Sequence, residues 1–275
     1  MFTQFFKLLG AALVGAFFAV APPSVVAQDL HGWFAESAVT GVQLVNVEKA
    51  GTLLNFQLKN FSTTSIVALV LATPDGNKHF ADLSGEELAP GAVHSLLIDD
   101  SRLAEVKHAI SILALVRADG SAEGLQPEIN FVRAQLLGSA LETERLRRIL
   151  SMPAFMQGVS DADLEDLNMR VGRKPASLEE AIASVQDVRL SDLSLDALRD
   201  MGTEERSGFL IGVGVVREKA LKVLLHVREL PAAKSAQATP RTEVMSELRK
   251  QHSDSITRRA DVLKRFQSLQ KGVGR

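Results

Sequence analysis

The sequence predicts an α+β protein, an N-terminal immunoglobulin-like antiparallel β-sandwich packed against a C-terminal helical region. Three observations carry this expectation. Residues 42–125 alternate short apolar or β-branched runs with turns rich in Pro, Gly, Asn and Asp. From Pro127 onward the apolar residues change to i, i+3, i+4 spacing. Two of the strand runs, 66–72 and 109–116, are apolar at nearly every position, a pattern that requires cover on both faces.

The strands are organised around residues 53–76. Leu54, Phe56 and Leu58 alternate with Asn55, Gln57 and Lys59, the period of a half-buried strand. A polar loop over 60–65 leads to a second strand, 66–73. Pro74, Asp75, Gly76 and Asn77 stop it, because Pro presets φ while Gly and Asn accept positive φ. Strands 53–58 and 66–73 are expected as the central pair. A first strand precedes them at 42–47, and 78–82 follows the turn. Ala89, Pro90 and Gly91 turn the chain into 93–98, and the polar segment 99–108 holds a helical turn. The apolar run 109–116 comes next; the hairpin signal Asp119-Gly120 then leads into 121–124. Seven short strands at this turn spacing suit an immunoglobulin-like sandwich.

The two doubly apolar strands set a constraint. Ile66, Ala68, Val70 and Ala72 are expected on one face, with Val67, Leu69 and Leu71 on the other. Likewise Ile110, Ile112, Ala114 and Val116 oppose Ala109, Ser111, Leu113 and Leu115. One set fills the sandwich. The other forfeits about 1.5–3 kcal/mol per large side chain unless something covers it. The first helix after Pro127 is the expected cover, which predicts one compact unit.

That helix is read from Ile129, Val132, Leu136, Leu137, Leu141 and Leu146, and it runs to about Leu150 within a helical domain spanning 126–230. Ser160 with Asp163, and Ser177 with Glu180, match capping boxes and open two short helices. A further helix is expected over 193–201, stopped by Gly202. Thr203 is expected to cap the longest helix, through Arg228. In that helix Gly208 and Gly212 have the spacing of membrane dimers. Arg217, Glu218, Lys219 and Lys222 sit in its middle, however, and a charge at a bilayer centre costs about 2.5–3.5 kcal/mol. It therefore reads as the central helix of a bundle, with glycines that admit a neighbour closely. Residues 231–240 have linker composition, and 241–275 read as a basic amphipathic helix with Val244, Leu248, Ile256, Leu263, Phe266 and Leu269 on its stripe. From Pro231 onward ten Lys or Arg stand against four Asp or Glu, +6, which leaves −8 for the rest of a chain whose total is −2. The linker predicts a tail that can be removed without harm. The tail either packs on the acidic body or a partner helix, or it meets an anionic surface such as membrane headgroups, a charged polymer or nucleic acid.

The N-terminus reads as an address. Lys7 is the only charge before Asp29, residues 8–21 are apolar, and Val25, Val26 and Ala27 stand where signal peptidase reads. A signal peptide over 1–27, cleaved after Ala27, is expected. Pro22 and Pro23 follow too short a run for an uncleaved anchor, since a span needs about 20 residues. The chain has no Cys, so neither disulfides nor lipoprotein attachment can form. The mature protein is expected in the periplasm or outside the cell, with no transmembrane span. Residues 28–41 form a leader whose Trp33 and Phe34 are expected to cap the first domain.

Motifs for chemistry are missing from the sequence, and no catalytic, cofactor-binding or metal-ligating residue and no cofactor is assigned. His31, His79, His94, His108, His226 and His252 share no metal-ligand spacing. His79 and His94 lie in successive strands and could approach each other, but a third ligand is lacking. There is no Gly-x-Ser-x-Gly elbow and no phosphate-binding loop, and Gly212-Val213-Gly214 follows no strand. Asp161, Asp163, Glu165 and Asp166 suit a helix N-terminus, not a calcium loop. Asn60-Phe61-Ser62 matches a glycosylation sequon, but between two strands Asn and Ser are more simply turn formers. Tyr is absent and Trp occurs once, which disfavours an aromatic platform for sugars or nucleic acid.

The run Leu58, Lys59, Asn60, Phe61, Ser62 followed by Ile66, the turns Pro74-Asp75-Gly76 and Ala89-Pro90-Gly91, and Asp119 through Gly124 together resemble a group of uncharacterised exported bacterial proteins of the kind seen in Acidobacteria. The resemblance covers about residues 42–124. It implies one immunoglobulin-like sandwich after a signal peptide, then a helical region, and it supplies no catalytic residues. The expected function is that of an exported non-catalytic binding or scaffolding protein of the bacterial envelope; its partner is not identified, the candidates being another envelope protein or an anionic surface met by the basic C-terminal helix. The alternatives are an enzyme with its site at the sandwich–helix interface, or attachment to an anionic surface through the basic C-terminal helix.

Overall fold

The computed structural model describes residues 39–50, 53–72, 78–83, 87–99, 110–156, 159–188, 201–230 and 240–273. The expected signal peptide, the Trp33 and Phe34 cap, the turn over 100–108 and the helix over 193–200 lie outside them. Among the described residues the fold is α+β: seven strands in two antiparallel sheets, then five α-helices.

The strands are β1 (Val42–Ala50), β2 (Leu53–Asn60), β3 (Ile66–Ala72), β4 (Lys78–Asp82), β5 (Val93–Asp99), β6 (Ser111–Arg117) and β7 (Ala122–Gly124). One sheet has the order β1-β2-β5, the other β4-β3-β6-β7. The expectation of β2 and β3 as a central pair is therefore corrected, because each is central in a different sheet. The loop between them switches sheets, and Asn60 holds it. This side chain is fully buried; its Nδ2 donates to Thr64 O at 2.9 Å and Leu88 O at 2.8 Å. Its Oδ1 accepts from Ser62 N at 2.8 Å and Ser62 Oγ at 2.7 Å. The Asn thus serves as a turn former.

Leu54, Phe56 and Leu58 meet Ile66, Leu69, Leu71, Ile112 and Leu115 in a core between the sheets. The opposite side of the four-stranded sheet is covered by helices, as the doubly apolar strands require. Val67, Ala68, Val70, Ala114 and Val116 pack there with Ile129, Phe131, Val132 and Leu136. Strict alternation fails at two places. The β3–β6 register slips between Ile66 and Ala68, and again across from Leu113, between Val70 and Leu71. Each irregularity re-aims the residues beyond it. Ile66 therefore joins Leu69 and Leu71 between the sheets, while Val67 joins Ala68 and Val70 under the helices. Leu113, expected to share a face with Leu115, instead packs on the helix side.

The helices are α1 (Gln126–Leu150), α2 (Asp161–Val171), α3 (Leu178–Val185), α4 (Thr203–Glu229) and α5 (Pro240–Val273), with a 3-10 turn at Pro153–Phe155. Ser160 and Asp163 form the full capping box. Ser177 caps α3, but the Glu180 carboxylate turns to Ala176 N at 2.9 Å instead of closing the box. The cap of α4 is Gly202, whose N–H donates to Glu205 at 2.9 Å; Thr203 is the first helical residue, not the cap.

Helices α1 and α4 run parallel, since Phe131 meets Gly208, Gln135 meets Gly212 and Glu142 meets Arg217. Their backbones touch through glycine. A Cβ on Gly208 would stand 2.3 Å from Phe131 O, one on Gly212 2.2 Å from Gln135 O, and one on Gly138 2.4 Å from Phe209 O. No helix among the described residues is long and apolar enough to cross a membrane.

The tail departs most from expectation. With 34 residues α5 is longer than α4, which has 27. It is also built into two cores: Ile256, Val262 and Leu263 join the sheet–helix core, and Met245 and Leu248 join Leu146, Leu164, Leu167 and Leu224. A removable tail is thereby contradicted, and of the two roles read for it the structure shows packing on the body.

Candidate functional site

Among the described residues, several buried charges meet where α1, α3, α4, α5 and β4 converge. Glu142 is fully buried on α1, and Arg217 on α4 is 4% exposed. The guanidinium of Arg217 donates Nε to Oε1 at 2.9 Å and Nη2 to Oε2 at 3.0 Å. It also donates to Ser184 Oγ at 2.7 Å and to Arg173 O at 3.0 Å. Arg145, one turn along α1, takes the same two carboxylate oxygens at 2.9 and 2.6 Å and reaches Val171 O at 2.7 Å. One carboxylate thus accepts four charge-assisted bonds from two cations, which saturates its lone pairs.

Beside this group, Arg259 of α5 reaches across to the body. It donates to Thr143 Oγ1 at 2.8 Å and to Asp82 Oδ2, at the end of β4, at 2.7 Å. His252, two turns earlier on α5, bonds Leu248 O through Nδ1 at 2.8 Å. Burial holds the imidazole below its ordinary pKa. The Leu248 carbonyl pulls it upward, Arg259 downward and Glu142 upward, and the net direction is down. Glu144 lies near the same end of α1. Burial favours its neutral form, but bonds from Arg147 at 2.6 Å and Arg148 at 2.8 Å outweigh this and hold it below the usual carboxylate range.

Chemically, the arrangement clamps. Glu142 has no lone pair left for a substrate proton, and Arg217 has all three nitrogens engaged by the chain. The basic tail behaves in the same way. Arg241 donates to Leu230 O, Arg228 O and Asp161; Arg249 donates to Phe155 O and Arg265 to Ala118 O. On its exposed side Lys250, Asp254, Arg258, Asp261 and Lys264 alternate in sign.

Of the residues the sequence singled out, His79 and His94 fall in different sheets. His79 lies across from Leu71 and His94 across from Leu58. Both leucines are core-facing, so both imidazoles face the space between the sheets. Among the described residues no three His, Asp or Glu form a metal-holding group. His226 is half-exposed, 4.0 Å from Glu229, while His31 and His108 lie outside the described residues. In the acidic run, Asp163 closes the Ser160 capping box of α2 by accepting from Ser160 N, Asp166 pairs with Arg170, and Asp161 pairs with Arg241. In the sequence Arg217 serves only to exclude a membrane span, and its pairing with Glu142 is not legible there. The available signal was a charge on the apolar side of each helix, but pairing them needs the parallel packing of α1 and α4. No family model, curated protein or solved structure matches the chain.

Proposed function

We propose that this chain is an exported, non-catalytic binding or scaffolding protein of the bacterial envelope, in which an immunoglobulin-like sandwich and a helical region act as one rigid body. The observation that carries this reading is the saturation of Glu142 by Arg217 and Arg145. A reactive carboxylate needs a free lone pair and a perturbed, accessible proton; this one is enclosed and fully bonded. One core joins the four-stranded sheet to α1 and α5, and a second joins α1 and α5 to α2 and α4, which supports a frame that keeps its shape under load. Phe61, Val93 and Leu97, exposed by 53%, 52% and 54% at the β1-β2-β5 sheet, supply apolar groups for a protein partner. Attachment through the tail is less well supported, because Arg241, Arg249, Arg259 and Arg265 bond the body.

The test uses the full chain with a C-terminal affinity tag, produced in a bacterium and cross-linked before lysis. Protein recovered from the periplasm or medium should begin at Gln28 and carry one defined envelope protein, and a Leu97→Lys variant should lose that protein while remaining folded. Retention of Met1 on a cytoplasmic species would remove the export half of the reading. Recovery of uncross-linked monomer alone would remove the binding half.

A further inference from the structure

The charges around His252 are unevenly balanced. Arg259 of α5 opposes a proton on its ring, and Glu142 of α1 favours one. Glu142 is already bound by Arg145 of α1 and Arg217 of α4, and Arg259 is bound by Asp82 of β4. Three guanidinium groups thus stand against two carboxylates, and both carboxylates are occupied. With Nδ1 donating to Leu248 O, the imidazole is satisfied as a neutral ring. A proton on Nε2 would add a fourth cation beside two carboxylates that guanidinium groups already hold.

The location makes this consequential. His252 lies between the two ends by which α5 is attached. Met245 and Leu248 anchor one end, and Ile256, Val262 and Leu263 anchor the other. Arg259, the ion-pair bridge from α5 to β4 and α1, is the cation that protonated His252 would repel. At Gly208 and Gly212 the seam between α1 and α4 is backbone contact with Phe131, Gln135 and Ser139; Glu142 and Arg217 of the cluster join the same two helices further along.

We propose that His252 is an acid-responsive latch on the C-terminal helix: protonation of its imidazole loosens the docking of α5 on α1 and β4 while the sheets and the α1–α4 seam stay folded. The imidazole favours its neutral form in the folded chain, so its contribution is present above the ordinary imidazole value, about 6.5. It is lost as pH falls from there through the lower folded value. The latch stands independently of the proposed function.

Hydrogen exchange of the full chain, corrected for intrinsic rates, measures this at about pH 7.5 and about pH 5.5, on either side of the ordinary imidazole range. Peptides from 245–263 should lose about tenfold more protection at the lower pH than peptides from 131–139, a difference within the span of local opening. His252→Gln should abolish the excess loss. The proposal is overturned if His252→Gln keeps the excess, if wild type shows none, or if α5 and α1 lose protection together. Should His252→Gln not fold, the NMR titration of the His252 ring in the wild-type chain decides: its midpoint must coincide with that of α5 opening, and separate midpoints overturn the latch.

Discussion

Arg217 and Glu142 face each other fork to fork, at 2.9 and 3.0 Å, from parallel helices 75 residues apart in sequence. Water reaches neither to any extent, with exposures of 4% and 0%. Removing one partner of such a pair leaves a buried charge, a loss of about 3–5 kcal/mol, whereas replacing both with apolar groups is often neutral. Arg145 still neutralises Glu142 when Arg217 is gone. Arg217→Met should therefore cost about 3 kcal/mol, the low end of that range. Urea unfolding of Arg217→Met, Glu142→Leu and the double variant forms the cycle. A coupling near zero would mean that the pair is not the joint between α1 and α4.

Glycines in α4 should respond in opposite directions. An Ala at Gly212 puts Cβ 2.2 Å from Gln135 O, a backbone atom that cannot step aside. Such overpacking costs about 1–3 kcal/mol or more. At Gly214 the nearest atoms, from 3.1 Å, belong to the flexible Lys174 side chain. There Ala should be neutral or stabilising by up to about 1 kcal/mol, the difference in helix propensity. Thermal unfolding of both variants checks this, and equal effects would refute the close seam.

Truncation after Leu230 should abolish cooperative folding. It strips Met245, Leu248, Ile256, Val262 and Leu263 from two cores, and each fully buried side chain of this size contributes about 1.5–3 kcal/mol. The expected readouts are a broad, non-cooperative thermal transition and self-association in sedimentation. A sharp transition at the full-length temperature would restore the picture of an independent tail.

A fragment ending at Leu125 should likewise not fold alone, because Val67, Val70 and Val116 would lose Phe131, Val132 and Leu136. Val70→Asp, under the helices, and Leu69→Asp, between the sheets, should each cost about 2–5 kcal/mol and melt sheets and helices in one transition. Circular dichroism followed at helix and strand wavelengths would show two separate midpoints if the halves were independent.

Acid should weaken the fold through Glu144 as well. Its folded pKa lies below the ordinary value of 4.5 because Arg147 and Arg148 outweigh burial. Its contribution is present above that value and disappears as pH falls through the folded value. Glu144→Gln should lower the urea midpoint at neutral pH, and the gap from wild type should close in stronger acid. A gap that does not change with pH would assign the loss to shape instead of charge.

Much of the architecture is legible residue by residue. Alternation at Leu54, Phe56 and Leu58 places β2, the Asn60 and Gly120 turns bound strands, and Ser160 with Asp163 starts α2. The doubly apolar runs in β3 and β6 demand a covering layer, and α1 supplies it. These features are local, because backbone sterics and the strand and helix periods act over a few residues. Other features are settled by distant contacts. The slips beside Val67 and Leu113, the assignment of β2 and β3 to different sheets, and the docking of α5 depend on which surfaces meet. Composition marks the tail as basic, but it cannot show that Arg241, Arg249, Arg259 and Arg265 turn inward to carbonyls and carboxylates of the body. Nor can it show that Glu142 receives Arg217: periodicity reports the face on which a charge lies, whereas its partner is set by the path of a chain that separates the two by 75 positions.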